Sequence, residues 1–361
     1  MITVNARATS GPAEPFRAIR IQRRDLGPAD VLIDIAFSGV CHTDVSRARG
    51  EFGTTMYPIV PGHEIAGIVS AIGPEVTRFA VGDRVGVGCL VDSCRECEFC
   101  RAGLEPYCRR DHVRTYNSIG RDGTKTLGGY SEKIVVDEAY VVRIPDEIPL
   151  PNAAPLLCAG ITLYSPLRHW KAGPGKKVAI LGFGGLGHVG VAISAALGAH
   201  TTVFELTMDK QTDAFQRGAE DYRLSTDPAI FTEFAGTFDL ILSTVPARID
   251  YDAFLGLLAL DGTMVMLGVP KKPITLDVFS LLYNRRSLAG TLVGGIAETQ
   301  EMLDFCAERG IHAEVEIIGA DEIDGAFDRV AKGDVRYRFV IDVKTMGVPT
   351  VTPSSGGECL G

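Results

Sequence analysis

Residues 177–205, KVAILGFGGLGHVGVAISAALGAHTTVFE, decide the fold. Lys177 to Leu181 is an apolar, β-prone run; Gly182, Gly184 and Gly187 follow as GxGxxG; a helical stretch then leads to a second β-prone run, TTVFE. Strand, glycine turn and helix in this order are the setting in which GxGxxG means dinucleotide binding. The first glycine permits the tight turn, the second lets a pyrophosphate approach the backbone, and the third lets helix and strand close up. Gly185 and Leu186 complete the loop, and the phosphates rest on the helix N-terminus. Glu205 stands eighteen residues past Gly187, at the end of TTVFE. There a carboxylate hydrogen-bonds the adenosine ribose of NAD and repels the extra phosphate of NADP. NAD(H) is therefore expected ahead of NADP(H), although Thr207 and Lys210 nearby suit a 2′-phosphate.

Val178 to Ala199 is apolar and about long enough to span a bilayer. Its glycines fall in the middle of the run as turn chemistry rather than along a packing face, so a membrane segment is not expected. Downstream, FDLILSTV (238–245), TMVMLGV (263–269) and SLAGTLV (287–293) continue the alternation of strand and helix. The fold class is α/β: residues 159–294 read as a Rossmann domain with a doubly wound parallel sheet. Upstream, VLIDIAF (31–37) and IAGIVSAIG (65–73) sit between Gly and Pro turns, so residues 1–158 read as a mostly-β domain. Beyond it, ETQEMLDFCAERG (298–310) is helical and YRFVIDV (337–343) is a strand, which returns the chain to the first domain over 295–346. Residues 347–361, rich in Gly, Pro, Ser and Thr, have nothing to bury and are expected to be mobile.

A net charge of −9 opposes a phosphate-neutralising surface, and the basic doublets Arg23-Arg24, Lys271-Lys272 and Arg285-Arg286 are scattered, so nucleic acid is not an expected partner. MITVNARATS has no basic region followed by an apolar one, which points to the cytoplasm. Nine cysteines in that reducing compartment are not a disulfide framework, and their spacing becomes the signal.

Cys94, Cys97, Cys100 and Cys108 lie in SCRECEFCRAGLEPYC (93–108), within a lobe spanning 89–110. Four soft ligands in one short loop close a tetrahedron around zinc with no open position, which makes a structural site. The rival is an iron–sulfur cluster, but there the fourth cysteine follows after three residues and precedes proline, whereas Cys108 comes late and precedes Arg109. Cys89 falls outside the spacing and reads as a buried apolar thiol.

A second set is dispersed: Cys41 in GVCHTDVS, His63 and Glu64 in VPGHEIAG, Cys158 in LLCAGIT. Any one of them alone is more often a buried cysteine or a satisfied histidine. Together they form a Cys₂His set that leaves one position open, which a catalytic zinc needs to act as a Lewis acid; Glu64 can occupy it when substrate is absent. Asp44 is placed to accept the second N–H of His63.

With these motifs, YPIVPGHEIAG, VGDRVGVGCLVDSC, TLGGYSEKIVV, APLLCAGITLYSPL and VRYRFVIDV make the chain resemble the zinc-containing medium-chain alcohol dehydrogenases. Within them the likeness is to the cinnamyl alcohol dehydrogenase group and its bacterial aldehyde reductase relatives. The resemblance implies a GroES-like catalytic domain beside the Rossmann domain, two zinc ions per chain and a homodimer. It also implies hydride transfer between a nicotinamide dinucleotide and a primary alcohol or aldehyde, aromatic or allylic as in cinnamyl or benzyl compounds.

Carried over by position, Cys41, His63 and Cys158 hold the catalytic zinc, with Glu64 as the alternative fourth ligand, and Thr43 relays the alcohol proton. His42 and Arg338 meet the pyrophosphate; Thr162 with Leu267, Gly268 and Val269 positions the nicotinamide. Two residues depart from the group. Ser46 stands where relatives commonly have a histidine that ends the proton relay, and serine is no base near neutral pH, so water or another route must complete the path. Glu205 replaces the usual serine or threonine of a group that uses NADP. Phe52, Tyr116 and Leu292 are candidates for the substrate pocket. Two competing readings are a reductase of C=C or C=N bonds on the same scaffold, and a non-catalytic sensor using the thiolate lobe as a switch.

Overall fold

Strand Lys177–Leu181 lies inside a six-stranded, all-parallel sheet. The spatial order is Asp221–Leu224, His200–Glu205, Lys177–Leu181, Phe238–Ser243, Leu258–Met266, Ser287–Gly290. Numbered along the chain this is 3-2-1-4-5-6, the doubly wound order, whose switch point falls between the first and fourth strands. Val178, Ala179 and Ile180 have no solvent exposure, as a strand covered on both faces requires. Helix Gly187–Ala196 covers one face and packs on helix Ala159–His169, where Gly190 leaves room for the Leu163 side chain. The edge strand Asp221–Leu224 has no counterpart in the sequence reading: DYRL alternates polar and apolar residues, but over only four positions, too short a pattern to stand out from a loop.

The computed structural model describes residues 1–347, so the expected mobile tail lies, apart from Gly347, outside the described residues. Among the described residues, no helix is long and apolar enough to cross a membrane.

The remaining chain builds a mostly antiparallel seven-stranded sheet around Asp30–Val40. That strand pairs antiparallel with Ile65–Ile72, Lys133–Asp137 and Arg338–Asp342, the last contributed from beyond the Rossmann segment. Val315–Ile318 runs parallel to Arg338–Asp342. Tyr337 packs into the core shared with the parallel sheet, whereas Phe339 and Ile341, two and four residues on, pack into the β-domain core. The C-terminal strand therefore straddles the junction of the two units.

Candidate active site and metal centres

Three chain turns deliver the dispersed set to one place. Cys41 follows strand Asp30–Val40 and caps helix His42–Ala48; His63 and Glu64 precede strand Ile65–Ile72; Cys158 precedes helix Ala159–His169. Their ligand atoms all lie within 4.8 Å of one another. The Cys41 and Cys158 sulfurs are 4.0 Å apart, close to the roughly 3.8 Å edge of a tetrahedron with Zn–S bonds of about 2.3 Å. His63 Nε2 is 3.3 Å from the Cys158 sulfur.

Behind the cluster, Asp44 is fully buried, and its oxygens accept from Cys41 N at 3.0 Å, Gly62 N at 3.1 Å and His63 Nδ1 at 3.0 Å. With Nδ1–H donated to a carboxylate, Nε2 carries the lone pair that faces the cluster. Burial, the largest single effect, pulls the His63 pKa down, but Asp44, Cys89 and Cys41 together more than offset it and the net shift is well upward.

Glu64 is buried, with one oxygen ion-paired to Arg338 and Oε2 left without a hydrogen-bond partner. A buried lone carboxylate oxygen in a Cys₂His cluster fits a metal site, and residue 39 must be glycine for it, since a Cβ there would lie 2.0 Å from Oε2. Burial, opposed by the Arg338 charge, pushes the Glu64 carboxyl up to about 7.

In the lobe, the Cys94 and Cys100 sulfurs are 3.8 Å apart and those of Cys97 and Cys100 3.5 Å, and all four cysteines form one cluster. Backbone N–H groups point at sulfur, from Cys94 to Cys108 at 3.4 Å and from Cys97 to Cys94 at 3.3 Å, the solvation that thiolates need. The N–H groups of Arg109 and Cys100 draw the Cys97 thiol down to about 6. Cys89 corrects the sequence reading: it is only half-buried, and it stands close enough to Cys158 to help push that thiol's pKa up, after the larger effect of Cys41.

The glycine loop has the shape a pyrophosphate needs. Gly182 has φ +93°, a Cβ at Gly187 would meet the Gly182 carbonyl oxygen at 1.9 Å, and a Cβ at Gly184 would meet nothing within 4 Å. The turn, the tight packing and the open face expected of the three glycines are all present. Glu205 ends strand His200–Glu205 and accepts from Phe183 N at 2.6 Å and Leu206 N at 2.7 Å, with Lys210 Nζ at 3.6 Å. Thr207 instead turns its hydroxyl to Asp209. Leu267 and Gly268 donate to the Ser243 carbonyl at 2.9 Å each, which leaves Val269 exposed. Thr162 is buried one turn beyond Cys158, and His42 is half-buried at the first turn of its helix. Arg338 packs on Gly185 while pairing with Glu64, so one side chain links the dinucleotide loop to the metal cluster.

The suggested pocket residues do not share one surroundings. The Tyr116 ring lies 5.8 Å from the His63 ring, Phe52 stacks under Arg47, and the exposed Leu292 donates its N–H to the Tyr107 hydroxyl. Ser46, buried, donates to Glu51 Oε2 at 3.0 Å, and Lys271 Nζ meets Glu51 Oε1 at 2.8 Å. Glu51 belongs to no motif, and Lys271 entered the sequence reading only as half of a basic doublet, so neither was tied to the site.

A buried cluster of side chains that could hold a metal, together with a glycine-rich loop at the head of a doubly wound sheet, fits an oxidoreductase. Residues 27–146 match the family model of the alcohol dehydrogenase GroES-like domain, and residues 185–308 that of the zinc-binding dehydrogenases. The NADP-dependent alcohol dehydrogenase C 1 of Mycolicibacterium smegmatis is 57% identical over 347 residues, 96% of this chain and 99% of that protein. The aldehyde reductase YahK of Escherichia coli is 52% identical over 338 residues, 92% and 96% of the two chains. A cinnamyl alcohol dehydrogenase structure from Sorghum bicolor superposes with a TM-score of 0.93 at 40% identity, covering 97% and 100%. The chain belongs to the zinc-binding alcohol dehydrogenase family, in its cinnamyl alcohol dehydrogenase branch: an oxidoreductase of alcohols and aldehydes that uses a nicotinamide cofactor. The M. smegmatis relative is named for NADP, so the expectation of NAD draws no support from it.

Proposed function

We propose that this protein is a zinc-dependent dehydrogenase of primary alcohols and reductase of the matching aldehydes, with aromatic or allylic substrates such as benzyl or cinnamyl compounds. The convergence of Cys41, His63 and Cys158 with Asp44 behind them carries the reading. Zinc in this set would supply a Lewis acid for the substrate oxygen, and the nicotinamide would give or take the hydride.

The chain's own residues divide the remaining work. Cys41, His63 and Cys158 hold the metal, and Asp44 keeps His63 in the tautomer that can do so. Glu64 waits beside the open position. Thr43, at the first turn of helix His42–Ala48, holds the substrate's hydroxyl proton at its Oγ, and the Tyr116 ring covers His63 from one side. Gly182, Gly184, Gly185, Leu186 and Gly187 take the pyrophosphate, with His42 and Arg338 facing it; Thr162 and residues 267–269 position the nicotinamide. Cys94, Cys97, Cys100 and Cys108 hold a second, structural zinc. An intact open set argues against a C=C or C=N reductase and exceeds what a sensor needs.

NAD(H) is the preferred cofactor in this proposal. The Glu205 carboxylate, held by Phe183 N and Leu206 N, repels a 2′-phosphate and engages Lys210, the nearby cation that would otherwise attract one. The catalytic unit comprises residues 1–158 and 295–346, the Rossmann unit 159–294, and the protein works in the cytoplasm as a homodimer. Ser287–Gly290 is the open edge of the parallel sheet, and Val278, Phe279, Leu282 and Tyr283 nearby are 59–66% exposed, an apolar surface suited to a second copy.

A panel of aldehydes assayed with NADH and NADPH in parallel, on protein whose zinc content has been measured, tests the proposal. Turnover of aromatic aldehydes with NADH, nearly abolished in Cys158→Ala and Thr43→Val, is the expected result. Wild-type turnover in both variants would overturn the site assignment.

A further inference from the structure

Ser46 occupies a place where a histidine would end the proton path, yet a serine hydroxyl passes protons on and does not hold one near neutral pH. The structure sets an ionised carboxylate behind the serine, able to take a proton in passing and hand it to water. Ser46 is 1% exposed and donates to Glu51 Oε2 at 3.0 Å; the Glu51 side chain is 27% exposed, so the pair leads from the interior to solvent. Thr43 and Ser46 are three apart on helix His42–Ala48, a spacing that sets Cβ atoms about 5–6 Å apart; Thr43 is exposed and Ser46 buried, so one intervening hydroxyl or water is needed to carry a proton between them. From the opposite domain, Lys271 Nζ meets Glu51 Oε1 at 2.8 Å.

We infer that Glu51, acting through the Ser46 hydroxyl, is the terminal proton acceptor for alcohol oxidation in this protein. The inference rests on the alcohol dehydrogenase reading and on the part Thr43 has in it. During oxidation the substrate O–H bond breaks as its proton passes to Thr43 Oγ, and the Thr43 proton moves outward. Ser46 Oγ accepts a proton as it gives its own to Glu51 Oε2, and Glu51 releases that proton to water. Two electrons leave separately with the hydride, which the nicotinamide accepts. Reduction runs the same path inward.

Lys271 has two effects. It fixes Glu51 against Ser46, and it holds the carboxyl below the usual range, helped by Ser46 and by the charge of His42 and opposed by partial burial. Lys271, Ser46 and His42 are the groups that face Glu51, and with them the acceptor stays ionised across the neutral range. Glu51 acts by positioning and receiving; it touches neither the substrate nor the metal cluster.

The test measures alcohol oxidation by the holoenzyme at pH 7. Ser46→Ala and Glu51→Gln should each lower kcat by about tenfold while KM changes less than about twofold, a modest share of the 10²–10⁴ that a whole acid–base path contributes. Adding Ser46→His to Glu51→Gln should restore most of the rate and introduce a pH dependence with a midpoint near ~6.5, the imidazole value. Carboxyl ¹³C NMR of the cofactor-free protein should show Glu51 titrating below ~4.3, and rising in Lys271→Gln. Unchanged kcat in Ser46→Ala and Glu51→Gln, with Thr43→Val inactive, would overturn the inference alone. Loss of rate in Glu51→Gln without rescue by Ser46→His would assign Glu51 a merely structural part and overturn it too. Full activity in Thr43→Val would instead overturn the reading beneath it.

Discussion

Arg338 and Glu64, 274 residues apart, form an ion pair whose side chains are 5% and 0% exposed. Two charges out of water stabilise a fold little as a pair, but removing one strands the other. Arg338→Met should lower the free energy of unfolding by about 3–5 kcal/mol, whereas Arg338→Met combined with Glu64→Gln should recover more than half of that loss. Urea denaturation of the four proteins closes the cycle. Additive losses would show that the two side chains are not coupled.

Metal content separates the two clusters. Wild-type protein should carry about two zinc ions per chain, and Cys158→Ser or Cys97→Ser about one, since each removes a ligand from a different tetrahedral set. Limited proteolysis should then cut within 93–108 in Cys97→Ser but not in Cys158→Ser, because the four lobe cysteines lie in one short loop whereas Cys41, His63 and Cys158 are buried on separate turns. Mass spectrometry of the intact and cut chains reads both outcomes.

Glu205→Ser removes the carboxylate from the ribose end of the cofactor site and frees Lys210. The ratio of kcat/KM for NADPH over NADH should rise at least about tenfold, equivalent to ~1.4 kcal/mol. A wild-type protein that already prefers NADPH, with no change in the ratio on substitution, would remove Glu205 from the selection of cofactor.

His188 gives the fold an acid limit. Its ring is fully buried and stacked on Tyr337; Nδ1 donates to the Gly184 carbonyl at 3.0 Å and Nε2 accepts from Glu314 N at 3.3 Å, so both nitrogens are used by the neutral form. Burial, with the Arg217 charge behind it, holds its pKa well below the ordinary value. The unfolded chain takes up this proton near pH ~6.5 and the native protein does not, so stability is intact above that pH and falls as pH drops toward the folded pKa. Between pH 6.5 and 5, His188→Gln should flatten the dependence of unfolding free energy by up to ~1.4 kcal/mol per pH unit. An unchanged slope in that variant would refute the assignment.

The exposed apolar surface beside the sheet edge predicts an association that one charge can break. Leu282→Asp should shift the protein from dimer to monomer in size-exclusion chromatography with light scattering, with its circular dichroism preserved. A monomeric wild type would dispose of the homodimer.

Much of this site was legible because its chemistry is local or locally flanked. The GxGxxG loop and the CxxCxxC lobe write their geometry into adjacent residues, and the Cys41, His63 and Cys158 turns each carry recognisable neighbours. Contacts created by chain crossing could not be read in the same way. Lys271 reaches Glu51 across 220 residues, and Arg338 meets Glu64 only because strand Arg338–Asp342 pairs with Asp30–Val40. The strand Asp221–Leu224 also escaped, since its alternation of polar and apolar residues runs for only four positions and cannot be told from a loop at that length.

Strand Arg338–Asp342 also sets a timetable. A ribosome has released every residue of the metal cluster by position 158, but Arg338 belongs to the closing stretch of the described chain. Until then Glu64 has no counter-ion and strand Asp30–Val40 offers a bare edge beyond Val40, Gly39 and Ser38, which Phe339, Val340 and Ile341 later cover. A message that ends shortly before codon 338 would therefore direct the synthesis of a chain with all of its metal-facing residues and none of the strand that shuts them in.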